Sequence, residues 1–171
     1  TPFAGVVNTI TVSIKANCDL PAGSTVTIHE LTGSATPNGT LGIVRGNGGF
    51  GDSGVWDAYG NLTLTSVGMV RRQTYEARFN VTNPATSQGS PGVRMRASVR
   101  SVYGDISPLA SVFADRNQAE LLGVANGSSP LKVIVPELEV RTVEQNTPFA
   151  GVVNTITVSI KANCDLPAGS T

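Results

Sequence analysis

Between Thr9 and Leu20 the chain alternates without a break. Ile10, Val12, Ile14, Ala16, Cys18 and Leu20 fall on one side, and Thr9, Thr11, Ser13, Lys15, Asn17 and Asp19 on the other. A period of two predicts a strand with one buried face. "PAG" then predicts a turn, and "STVTIHEL" a second strand with Val26 and Ile28 inward. Further strands are expected at 40–45, 61–67, 72–82, 92–102, 109–114, 131–135 and 137–143. Turn signals separate them: "TPNG", "GNGG", "AYGN", "NPATSQGSPG" and "ANGSSP". Only "DRNQAELLG" (115–123) has helical character, for one or two turns. Many short strands punctuated by Gly and Pro predict an all-β fold, an antiparallel β-sandwich of Ig-like or jelly-roll-like type. The strand count exceeds the immunoglobulin pattern, and the Cys…Trp…Cys core of that pattern is missing.

The alternating segment occurs twice. The 25 letters from Thr1 to Thr25 return unchanged from Thr147 to Thr171, an offset of 146 residues. A tandem array is the simplest source; a deliberately duplicated segment is the alternative. Residues 1–146 then form one complete sandwich repeat, of ordinary domain size. Residues 147–171 begin the next repeat and are too few to fold alone. The connector between the strand ending near Val143 and the one starting near Asn154 holds about ten residues, either a hinge or an arm across the junction. As an arm, it lets the leading strand of one repeat pair with an open sheet edge of the preceding one. A single unit starting at Thr1 would then oligomerise or be unstable.

Composition narrows the function. The 12 basic and 12 acidic residues cancel, so no net field draws nucleic acid or an anionic membrane. No apolar run approaches the ~18 residues of a spanning helix. Cys18 and Cys164 occupy the same repeat position, so a repeat has one cysteine and no internal disulfide. Cys18 lies on the apolar side of its strand and reads as a small buried hydrophobe, with a reactive or inter-repeat thiol as the alternative.

Two strands are rich in arginine. Arg72 and Arg78 lie on the polar side of "RQTYEARFNV", and Arg94, Arg96 and Arg100 on that of "VRMRASVRS". As hairpin neighbours the two strands would gather five arginines on one face. That face reads as a solvated sheet surface or as an inter-repeat docking surface for something acidic, such as "PELEVRTVEQ" or a carboxylate-bearing glycan. Phe50, Trp56 and Tyr59 form an aromatic cluster, which reads as a core plug or as a sugar platform.

Catalytic motifs fail. "GDSG" at 51–54 resembles the nucleophile motif of chymotrypsin-like proteases, but the only histidine, His29, lies on a predicted strand without that family's surroundings. "GNGGFG" lacks the Lys-Ser/Thr of a phosphate loop. Asp52, Asp57, Asp105 and Asp115 show no calcium-loop spacing. No enzyme activity, cofactor or metal is expected. N-glycosylation sequons occur at Asn38, Asn61, Asn80 and Asn126, each in or beside a turn or on an outward strand face. N-linked glycans are therefore the expected modification.

The strings "NTITVSIKANCDLPAGSTVTIHELTGS", "GVWDAYGNLTLT" and "YEARFNVTNPATSQGSP" carry a resemblance. They resemble β-rich modules that recur in very long, low-charge extracellular proteins of microbial eukaryotes and environmental sequence. They are also similar to tandem β-sandwich subunits of extracellular fibrils. The resemblance implies a structural role outside the cell or at its surface, with neighbouring copies and glycans as partners, and no catalytic residues. An adhesin-like stalk or carbohydrate-binding module is the alternative.

Overall fold

The computed structural model describes residues 1–101, 104–106 and 111–170. Its strands are β1 (Val7–Lys15), β2 (Thr25–His29), β3 (Gly39–Gly42), β4 (Val44–Arg45), β5 (Phe50–Trp56) and β6 (Leu62–Ser66), followed by β7 (Thr74–Thr82), β8 (Arg94–Ser101), β9 (Gly104–Ile106), β10 (Val112–Phe113), β11 (Leu138–Gln145) and β12 (Ile156–Ala162). The fold is all-β, an antiparallel β-sandwich. The smaller sheet runs β1-β7-β4, and the larger runs β10-β8-β2-β6-β5-β3 with β9 on β8.

Alternation builds both layers. β1 buries Ile10 and Val12, and β7 buries Tyr75, Ala77, Phe79 and Val81. From the other sheet β2 contributes Val26 and Ile28, and β6 contributes Leu62 and Leu64. These residues form one hydrophobic cluster, from Ile10 to Leu131 in the chain. Each fully buried side chain of this size contributes about 1.5–3 kcal/mol relative to exposure.

β5 was not expected, because "FGDSGVW" is glycine-rich and does not alternate cleanly. Its register against β6 shifts between Phe50 and Gly54. Phe50, Gly54 and Trp56 face the core despite the irregular spacing. Gly54 is required by close approach: a Cβ there would lie 2.8 Å from Leu62 Cδ1 and 3.0 Å from Leu64 Cδ2. The turn before β6 uses Gly60 at φ +77°, where a Cβ would fall 2.4 Å from the Leu31 carbonyl oxygen.

Three other expectations are corrected. Residues 115–123 form no helix. The segment 131–135 is not a ladder strand but makes isolated bridges, Val133 to Gln88 and Ile134 to Phe3. β7 and β8 are not hairpin neighbours, since the loop between them crosses from one sheet to the other. Of the strand expected at 109–114, Val112–Phe113 form β10, while residues 109 and 110 lie outside the described residues. The same holds for residue 102 at the end of β8.

The two sides of the sandwich differ. On one side the chain steps from β3 to β4 across buried Ile43, linking the sheets covalently. On the other, β1 ends the smaller sheet and faces the segment 114–117 across a groove.

Candidate functional site

The repeated segment occupies two settings. In the first copy Pro2 is fully buried, Phe3 bridges to Ile134, and β1 pairs with β7. Asn83 pins this arm to the body. Its Nδ2 donates to the carbonyls of Thr1 (3.1 Å) and Phe3 (2.7 Å), and its Oδ1 accepts from Asn8 Nδ2 (3.2 Å). Asn83 is wholly buried, and these bonds satisfy its amide. No periodic signal in the sequence marks Asn83.

The second copy pairs with β11 alone, from Leu138↔Ala162 to Gln145↔Ile156, with a bulge between Leu138 and Val140. β11 pairs with neither sheet of the sandwich. The ten-residue connector 146–155 is the loop of this hairpin. Exposure inverts between the copies. Ile10 is 6% exposed and Ile156 54%; Val12 is 5% and Val158 61%; Leu20 is 0% and Leu166 57%. One local contact survives the move. Asn8 Oδ1 accepts from the Thr1 nitrogen at 2.8 Å, and Asn154 Oδ1 from the Thr147 nitrogen at 3.2 Å. The hairpin touches the sandwich where Asp165 N donates to the Leu122 carbonyl at 2.9 Å and Asn163 Nδ2 to that of Val135 at 2.9 Å.

The groove beside β1 has a volume of about 380 Å³ and opens onto Val12, Ile28, Val93 and Met95. A second hollow of about 290 Å³ continues along the same edge past Thr9 and Thr11. Both are walled on the far side by Asp115, Arg116, Asn117 and Pro130.

The arginines do not share a face, because β7 and β8 belong to different sheets. Arg72 lies in the turn before β7, and Arg78 Nε donates to Glu76 Oε1 at 2.5 Å. Arg94 stacks 4.1 Å above the Phe113 ring and lies 3.7 Å from Glu30. Arg96 and Arg100 are exposed on β8. In the aromatic cluster Phe50 and Trp56 are core residues, with Trp56 Nε1 donating to the Thr36 carbonyl at 3.3 Å. Only Tyr59 is exposed, so no stacking platform forms.

Asn38, Asn80 and Asn126 are exposed. Asn61 is half-buried and committed: its Nδ2 donates to Asp57 Oδ2 at 2.8 Å, and its Oδ1 accepts from Glu30 N at 3.1 Å. Asp57 Oδ1 in turn accepts from the backbone of Asn61 and Tyr59. The Asn61 backbone bond, assisted by the Asn61 side chain and the Tyr59 bond, holds the Asp57 carboxyl below its ordinary range.

His29 and Ser53 lie on strands separated by β6, and Asp52 pairs with Arg45 at 2.6 Å. No group of three or more acidic, histidine or cysteine side chains gathers among the described residues; the Asp105 side chain lies outside them. Cys18 packs partly against the core, and both cysteines are free. No helix among the described residues is long and apolar enough to cross a membrane. No known protein family, curated protein or solved structure matches the chain.

Proposed function

We propose that this chain is a structural segment of an extracellular filament, built from β-sandwich repeats of 146 residues whose partners are neighbouring copies of the same repeat. One observation carries this reading. A 25-residue segment that is buried at the head of the sandwich recurs at its tail with the same apolar side chains exposed. An exposed strand face of this kind is a liability unless something covers it, and the body of a following repeat matches it by sequence. The balanced charge supports a packing role over an electrostatic one. Asn38, Asn80 and Asn126 are the positions where glycans would coat such a filament, while the bonds of Asn61 argue against its use.

Electron microscopy of the native material tests this. The expected result is a fibre with an axial period of roughly 35–50 Å, the length of a long strand plus its loops. Isolated globular particles would overturn the filament.

A further inference from the structure

We infer that the groove along the free edge of β1 is the seat for strand β11 of a preceding copy of this repeat. Each β11 is thus donated forward and completes the smaller sheet of the next copy, in the order β11-β1-β7-β4. The inference rests on the filament reading above and adds to it a partner, a direction and a register.

Backbone polarity is the first argument. In an antiparallel strand, successive residues turn their N–H and C=O groups to opposite edges. The carbonyls of Val6 and Ala16, which flank β1, accept from Asn83 N (2.9 Å) and Arg72 N (2.7 Å). Both acceptors are even-numbered, so the even-numbered residues of β1 face β7. In the second copy the Thr155 carbonyl accepts from Asn146 N (3.2 Å), and Asn163 N donates to the Glu137 carbonyl (3.1 Å). These residues are the equivalents of Thr9 and Asn17, which are odd-numbered. β11 therefore uses the edge that β1 leaves free, and β12 leaves free the edge that β7 uses. The two pairings do not compete, and one strand accommodates both.

Register and space agree. In the hairpin Gln145, Val143 and Arg141 oppose Ile156, Val158 and Ile160, the equivalents of Ile10, Val12 and Ile14. Directly opposed residues share a face. Val143, exposed in this chain, would turn inward beside Val12, where the groove opens onto Ile28, Val93 and Met95. Thr142 and Glu144 would face outward beside Ser13 and Thr11. Gln145 and Arg141 take the same face beside Ile10 and Ile14, so the interface rests on main-chain bonds with Val143 as its one apolar insertion.

The test extends the chain by one more copy of residues 26–146 after Thr171 and reads backbone amide exchange by NMR. In the present chain Thr157, Ser159 and Lys161 exchange slowly, while Ile156, Val158 and Ile160 exchange fast. In the extended chain the second set slows by at least about 100-fold, as for amides that open only with the fold, and the first set stays slow. Thr11 and Ser13, with no β11 before them, stay fast in both chains. If the added copy folds and either set is fast, β11 is not shared and the proposal is overturned. Thr142→Pro removes a ladder N–H from β11. It should speed exchange at Thr157 and Ser159 at least about tenfold and leave β7 unchanged; no change at Thr157 and Ser159 would overturn the proposal too. Filaments without this alternating pattern would sink strand sharing alone. The pattern without filaments would sink the filament reading and leave strand sharing in place.

Discussion

The two copies of the 25-residue segment make a controlled comparison, since the letters are the same and only the surroundings change. The head copy pairs with β7 at the edge of the smaller sheet and turns its apolar side into the sandwich core. Its tail counterpart lies against β11, with its apolar side in water. Both nevertheless form a strand, Val7–Lys15 and Ile156–Ala162, and the two overlap at the positions equivalent to 10–15. Alternation and β-propensity therefore decide that a strand forms, and tertiary packing decides what that strand is worth. The hydrogen-bond ladder costs little to relocate, because main-chain groups are alike in every partner. Burial cannot be relocated so freely, because it needs a particular opposite wall.

Substitutions at matched positions should separate these contributions. Ile10→Ala should cost about 2–5 kcal/mol in urea unfolding, by lost burial plus a cavity. Ile156→Ala should change the same midpoint by no more than about 0.5 kcal/mol. Equal effects would mean that the tail copy is already packed in solution. Asn83→Ala should follow, costing about 1–3 kcal/mol by leaving the Thr1 and Phe3 carbonyls without their buried donor. Its tail analogue is Gln145, whose Oε1 accepts from Asn154 Nδ2 at 2.9 Å on the surface. Gln145→Ala should be close to silent in thermal melting.

The pH responses should be smaller and of opposite direction in the two regions. Asp57 is a body residue whose carboxyl is held low by hydrogen bonds from Asn61 and Tyr59. Its stabilisation is present above the ordinary carboxylate value and is lost as pH falls through the lowered one. Asp57→Asn should flatten the acid side of the melting-temperature profile below the ordinary carboxylate value. In the hairpin, Lys161 Nζ lies 2.7 Å from Glu139 Oε2, and that hydrogen bond, with the charge of Glu139, raises Lys161 above 10.5. That contact is present below the ordinary lysine value and is lost as pH rises through the raised one. Glu139→Gln should bring the NMR titration of Lys161 back toward 10.5. An unchanged titration would remove the ion pair from the hairpin.

Regular alternation made much of the sandwich legible in the sequence. β1, β2 and β7 have inward residues two apart, so their faces could be assigned before any partner was known. β5 escaped because Gly51 and Gly54 hide the period and a register shift separates Phe50 from Trp56. The segment 131–135 looked like a strand because Leu131 and Val133 are buried, but burial there comes from isolated bridges beside the entering arm. The arginine face failed on topology. A ten-residue loop can turn back within one sheet or cross to the other, and local pattern does not distinguish the two. The exact repeat was plain in the sequence. Which edge of the repeated strand each partner takes was not, because side-chain alternation is blind to main-chain direction.

The closing pair of the hairpin sets how the junction answers to load. Leu138 and Ala162 are register partners, so the incoming and outgoing chain meet at the same end of the β11–β12 ladder. Tension on the two chain ends would act on that ladder pair by pair, as on a zipper, while strands loaded along their length resist together. The junction should yield before the sandwiches do and pay out β11 and the link after it, residues 138–146, roughly 30 Å at ~3.4 Å per extended residue. Single-molecule pulling should record this as a short, low-force step that refolds on release. Such a filament would stretch and recover at its joints with every sandwich intact.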